Sequence, residues 1–114
     1  MRVLIAGSRD VVDPLIIEKA VVESGFTVTS VICGMARGVD MLGYNWAKQH
    51  NVNIEEYPAD WDGLGKAAGM IRNRKMVAVA EAAIIIWDGN SPGTENTIKL
   101  VKAKGIPFHL VEVF

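Results

Sequence analysis

The chain has 114 residues, half of them hydrophobic, with 12 basic and 13 acidic side chains and a formal charge of −1. That length suits one domain with a core of its own, and the balanced charge excludes a general attraction to nucleic acid or anionic membrane while leaving room for a local basic pocket. A single cysteine, Cys33, excludes an intrachain disulfide; no apolar run approaches the roughly 18 residues of a membrane span and the opening Met1–Ala6 is too short for a signal sequence, so a soluble, cytoplasmic protein is expected.

The first apolar run, Val3–Ala6, lacks strict alternation, which is the pattern of a strand buried on both faces. A helix over Val11–Glu23 follows, with Leu15, Ile16, Ala20 and Val22 near one face. Val28–Cys33 reads as the second strand, with Cys33 a small buried apolar residue, and Asp40–His50 as a helix carrying Met41, Leu42 and Trp46. After a third strand, Ile54–Tyr57, the longest irregular stretch runs over Pro58–Gly65. The spacing then predicts a helix over Lys66–Ala82, in which Arg72, Met76, Val79 and Ala83 share one face and Asn73, Val77 and Ala80 lie beside them. The fourth strand, Ala83–Trp87, leads to a helix over Glu95–Lys104 that Gly105 caps, with Lys99, Lys102 and Lys104 at the negative end of its dipole. Phe108–Val113 is the fifth strand. Strands alternating with helices predict an α/β fold: a three-layer Rossmann-like domain over residues 1–114, with a mostly parallel five-stranded sheet flanked by helices.

Open parallel sheets bind ligands beyond the carboxyl ends of their strands, so the segments that follow the strands are the ones to read. Gly7-Ser8-Arg9-Asp10 offers a tight turn, a hydroxyl and a guanidinium to a phosphate, or is an ordinary turn with Asp10 or Asp13 capping the helix. Gly34-Met35-Ala36-Arg37-Gly38-Val39-Asp40 opens directly into a helix, so its amides can face an anion, with Arg37 as a clamp and Asp40 as a cap or a ligand for a ribose hydroxyl. It is neither the G-x-G-x-x-G dinucleotide fingerprint nor a P-loop. Arg72 is a charge at the start of an apolar stripe, either snorkelling to solvent or entering a polar pocket, with Asn73 next to it facing inward and Arg74 facing solvent. Trp61 either stacks on a base or covers the core edge. In Trp87-Asp88-Gly89-Asn90-Ser91-Pro92-Gly93-Thr94, Ser91 or Thr94 caps the last helix or donates to a phosphate at its positive end. His50, His109 and Cys33 form no ligand-like cluster, so no metal and no cofactor are expected.

Taken together, Arg2–Arg9, Gly34-x-Ala36-Arg37-Gly38-Val39-Asp40, Pro58-Ala59-Asp60-Trp61, Gly69-x-Ile71-Arg72-Asn73 and Trp87-Asp88-Gly89-x-Ser91-x-Gly93-Thr94 resemble the small bacterial and phage branch of the SLOG superfamily related to YspA and YpsA. The resemblance covers nearly the whole chain and implies a Rossmann-like fold, a nucleotide-derived ligand and, because related proteins are often dimers, a possible homodimer. It extends distantly to the "Lonely Guy" phosphoribohydrolases, whose active site pairs an Arg on the third helix with a P-G-G-x-G-T-x-x-E loop. Arg72 and Met76 keep the helix spacing and Gly93-Thr94 the G-T step, but the position of the catalytic Glu is Thr97. Glu95 does not replace it, because helical positions one and three past a reference point differ by about 200°.

Three functions follow. The first is a nucleotide-binding or sensing domain using Gly7, Ser8, Arg9, Gly34, Ala36, Arg37, Gly38, Asp40, Arg72, Asn73, Asp88, Ser91, Gly93 and Thr94. The second is a nucleotide N-glycosidase, with Arg72, Asp88 and Asp40 as its catalytic candidates and Asp10 and Glu95 behind them. The third is a DNA-handling module like DprA, which shares the broad fold; the absent basic surplus argues against it.

Overall fold

A computed structural model describes residues 1–113. Its strands are β1 (Arg2–Gly7), β2 (Ser30–Cys33), β3 (Asn53–Glu56), β4 (Ala82–Trp87) and β5 (Phe108–Glu112). Its helices are α1 (Pro14–Ser24), α2 (Val39–Gln49), α3 (Trp61–Leu64), α4 (Ala68–Val79) and α5 (Pro92–Lys104), with a 3-10 turn at Gly65–Ala67 between α3 and α4. All five strands are parallel, in the order β3-β2-β1-β4-β5. This is the α/β, Rossmann-like three-layer architecture that the alternating pattern predicts.

Alternation along the inner strands builds two cores. Val3, Ile5, Val31, Cys33, Ile84 and Ile86 face α1 and α2 through Ile17, Ala20, Val39, Trp46 and Ala47. Leu4, Ala6, Ile32, Ala83 and Ile85 face α4 and α5 through Met76, Val77, Ile98 and Val101. Side chains of successive strand residues point to opposite faces, so a strand covered on both sides must be apolar throughout, as β1, β2 and β4 nearly are. Order reverses between β1 and β4: the chain first builds outward through β2 and β3, then returns to the other side of β1. That junction is where such sheets part to leave a crevice.

Several local expectations are corrected. Pro14 occupies the first turn of α1 and Asp13 caps it, accepting from the Leu15 amide at 3.0 Å, so the helix begins three residues later than its apolar pattern. Its buried face is Ile17 and Ala20; Leu15 and Val22 are 72% and 79% exposed. The Pro58–Gly65 stretch is not irregular throughout, because Asp60 accepts from the Gly63 amide at 2.9 Å and caps the one-turn α3. Helix α4 starts at Ala68 and stops at Val79, where Ala80 turns extended; its inward face is Asn73, Met76 and Val77, while Met70 is exposed. Gly105 is the left-handed C-cap of α5, as expected. Lys104 then donates to the carbonyls of Val77, Ala78 and Ala80 at 2.7–2.8 Å, closing the carboxyl end of α4. Among the described residues no helix is long and apolar enough to cross a membrane.

Candidate functional site

Four segments meet over the β1–β4 junction and enclose a cleft of about 420 Å³, within the range of small-molecule sites. Its walls are Ala6 and Gly7 at the end of β1 with Arg9 and Asp10 after it, Ala36, Arg37 and Asp40 after β2, Arg72, Asn73 and Met76 from α4, and Ser91, Pro92, Gly93, Thr94 and Thr97 at the start of α5.

The loop after β1 is stapled rather than free. An added Cβ on Gly7 would overlap the Ile86 carbonyl oxygen and the Val39 side chain, so only glycine lets β1 run this close to β4 and α2. Ser8 is fully buried: its amide donates to Ile86 O at 3.0 Å, its carbonyl accepts from Val39 N at 3.2 Å, and its hydroxyl accepts from Asp88 N at 3.0 Å. Gly38 has φ +78°, and a side chain there would strike the carbonyls of Ser8 and Arg9. Ser8 and Gly38 thus bind the first two loops to each other, outside the cleft wall.

Asp88 is likewise committed to its own loop. It accepts from Asn90 N at 2.8 Å, Ser91 N at 3.0 Å and Ser91 Oγ at 3.1 Å, and these donors, the Asn90 amide first, hold its carboxyl below the usual range. The hydroxyl of Ser91 is spent on Asp88 and Ser8 and does not cap α5. Pro92 has no amide hydrogen, so the first amides of α5 belong to Gly93 and Thr94, and the dipole end is open to the cleft. Thr94 is 6% exposed, and its hydroxyl has no partner among the described residues.

Arg72 is held in place by two acceptors. Its Nη1 donates to Gly34 O at 2.5 Å and its Nε to Asn73 Oδ1 at 3.0 Å. Asn73 in turn donates to Gly93 O and Asn96 Oδ1, both at 3.4 Å, so one buried amide ties the guanidinium to the start of α5. Gly34 contributes space: a Cβ there would lie 2.8 Å from Asp40 Oδ2 and 2.9 Å from Arg72 Nη1. Arg37, by contrast, is 74% exposed and reaches only Asp10, at 3.6 Å. Trp61 is 52% exposed, with its ring edge 3.3 Å from the Cβ position of Gly69, one turn before Arg72.

Residues 1–63 match the profile of a family described as YspA, cpYpsA-related SLOG. A relative from Mycobacterium phage D29, "Gene 61 protein", is 35% identical over 116 aligned residues, covering 93% of this chain and 92% of the relative. The chain belongs to the YspA, cpYpsA-related SLOG family. No solved structure matches it. Membership in the SLOG family is consistent with a nucleotide-related ligand in general.

Within this SLOG cleft only two carboxyl groups line the wall among the described residues, Asp10 and Asp40. Asp10 is exposed beside Arg37. Asp40 is 6% exposed, and burial pushes its carboxyl up to about 6, against the opposing pull of the Ala36 amide, Arg72 and Arg9. Cys33 lies behind it and donates to the Asp40 carbonyl at 3.3 Å; burial lifts the thiol to about 11, which leaves it inert. Thr97 turns its hydroxyl back to Gly93 O at 3.2 Å, and Glu95 points away, exposed and paired with Lys99 at 3.4 Å. Pro92 lines the cleft without having been singled out in the sequence, whereas Met76 was placed there on the face of Arg72. Met76 follows Arg72 by one helical turn, a spacing that does signal a shared face. Met35 holds φ +63°, uncommon for a long side chain, in the loop between Gly34 and Ala36.

Proposed function

We propose that this chain, as one SLOG-type domain over residues 1–114, binds a nucleotide or nucleotide-derived phosphate ligand in the β1–β4 cleft and acts as a binding or sensing domain. The observation that carries the reading is the start of α5. Two backbone amides and the partnerless Thr94 hydroxyl open there onto a cavity shared with Arg9, Arg37 and Arg72. Free amides at a helix start, a hydroxyl and a fixed guanidinium are the groups a phosphate needs. Arg72 and Asn73 would fix the phosphate's position, Gly93 and Thr94 would receive it, and Arg9 and Arg37 would close over it from solvent.

A second reading, hydrolysis of a nucleotide N-glycosidic bond, is favoured by one observation: Asp40 is a buried acid in the same cleft as Arg72. The test of both is a thermal-shift and calorimetric screen of nucleoside mono-, di- and triphosphates, ADP-ribose and NAD, with chromatography of each mixture after incubation. Saturable binding without product supports the sensor. Free base with ribose phosphate supports the hydrolase, and no binding by any compound overturns both.

A further inference from the structure

The fold leaves one oxygen of Asp40 without a donor. Asp40 is 6% exposed, and its Oδ2 accepts from the Ala36 amide at 3.2 Å; no group among the described residues donates to Oδ1. Among the described residues His109 Nε2 is the one side-chain atom both sealed from solvent and unpartnered, so Asp40 Oδ1 opens to the cleft as an available acceptor. Arg72 does not occupy it. Asp40 Oδ2 and Arg72 Nη1 each lie within 3 Å of the same Cβ position at Gly34, so they are within about 6 Å of each other, yet they form no ion pair. Arg72 instead spends Nη1 on Gly34 O and Nε on Asn73. Carboxylate and guanidinium are thus held side by side with both facing the cleft.

From this geometry we infer that Asp40 is a specificity-determining residue that reads a free hydroxyl, so that the occupant is a hydroxyl-bearing phosphate ester of the sugar-phosphate class. The inference rests on the phosphate reading given above and narrows it. Around Asp40, the loop after β1 brings Arg9 and the exposed Asp10, which pairs with Arg37 from Asp40's own loop, and α4 brings Arg72; β2 brings the neutral Cys33 thiol, and α5 brings the uncharged Thr94 and Thr97. An ammonium entering here meets three guanidinium groups. A second anionic group meets the carboxylate. A neutral donor suits both, and a hydroxyl on the carbon skeleton of a phosphate ester is such a donor. The hydroxyl would donate to Asp40 while the phosphate lies against Arg72 and the start of α5. Because burial raises the Asp40 carboxyl to about 6, acidification fills the acceptor with a proton and weakens the hydroxyl contact.

The test is calorimetric titration, at pH 8, of the four ribonucleoside 5′-monophosphates and their 2′,3′-dideoxy counterparts. The best-bound ribonucleotide binds at least about tenfold more tightly than its dideoxy partner, the size of one hydrogen bond to a charged group. That ratio shrinks at pH 5, shrinks in Asp40→Asn and approaches one in Asp40→Ala, each variant being checked for a native circular dichroism spectrum. Equal binding of the two series by the wild-type protein overturns the hydroxyl contact and leaves phosphate binding standing. A ratio that survives in a folded Asp40→Ala also overturns it, since the hydroxyl is then read elsewhere. Binding of neither series overturns this inference together with the phosphate reading beneath it.

Discussion

Replacing Asp40 with asparagine stabilises the unliganded protein at pH 8, and the gain disappears on acidification. In the folded chain the Asp40 carboxyl is lifted from its ordinary 3.8 to about 6 by burial. At 1.36 kcal/mol per pH unit, keeping that group ionised costs about 3 kcal/mol of stability. Between those two values the folded chain holds a proton that the unfolded chain has lost, so lowering the pH stabilises the wild-type protein. Of the total, about 2 kcal/mol is recovered by pH 4.5 and the rest only below the unfolded value. Glu55 is shifted the opposite way, chiefly by its hydrogen bond from Arg2, and Asp88 by the amides of its own loop; both lose stabilising interactions in acid. Their contribution is common to both proteins, so the difference between wild type and Asp40→Asn isolates Asp40. Urea denaturation of the pair at pH 8, 6.5, 5.5 and 4.5 measures it. The variant is more stable by about 2–3 kcal/mol at pH 8, and most of this advantage has gone by pH 4.5. A difference that stays flat across this range refutes the argument, because Asp40 would then titrate as it does in the unfolded chain.

Four further substitutions separate ligand contacts from scaffold. Arg72→Ala weakens binding of the best nucleotide found in the screen by roughly 10–100-fold in calorimetry, whereas Arg37→Ala, already exposed and loosely paired, changes it by less than about threefold. Gly7→Ala destabilises the protein by about 3 kcal/mol in urea denaturation, because the new Cβ must displace the β4 backbone rather than a flexible side chain. Ser8→Ala costs about 1–3 kcal/mol in the same assay, since the Asp88 amide loses its acceptor in a part-buried position.

The inner strands were legible because burial on both faces forces an unbroken apolar run: every residue of Val3–Ala6 is buried, and in the expected Ala83–Trp87 run all but the part-buried Trp87. Helix α1 was harder. Leu15, Ile16, Ile17, Ala20, Val21 and Val22 are apolar nearly all the way round, so periodicity does not select a face; packing against α2, β4 and β5 does. The one-turn α3 rests on the cap formed by Asp60, a signal too short to stand out from an ordinary turn. At the site, glycine and arginine following strand ends pointed to the rim where the cleft opens, because the rule about strand ends is a property of the topology. Individual roles were less legible. Ser8, Gly38 and Asp88 sit in motif positions, yet they serve hydrogen bonds and close approaches between loops distant in sequence, which no local pattern encodes. Asn73 shows the converse: its adjacent-face spacing marked it as inward, and its three contacts explain why Arg72 is fixed.

This division of labour also limits what chemistry the cleft can perform. The SLOG resemblance raised the question of an acid near the start of α5. Thr97 spends its hydroxyl on the helix backbone, Glu95 is turned to solvent by its pairing with Lys99, and Asp88 is saturated by three donors. Asp10 is exposed and offset by Arg37. On the hydrolase reading, proton transfer by a cleft carboxyl would fall to Asp40, whose raised value near 6 suits exchange close to neutrality. The proposed recognition and the alternative hydrolysis would both rest on this one side chain. An acceptor for a sugar hydroxyl must stay ionised, whereas an acid that assists a departing base must carry a proton. The first use predicts binding that strengthens from pH 5 to pH 8, and the second predicts turnover that declines over the same interval. Measuring both quantities on one nucleotide decides between them.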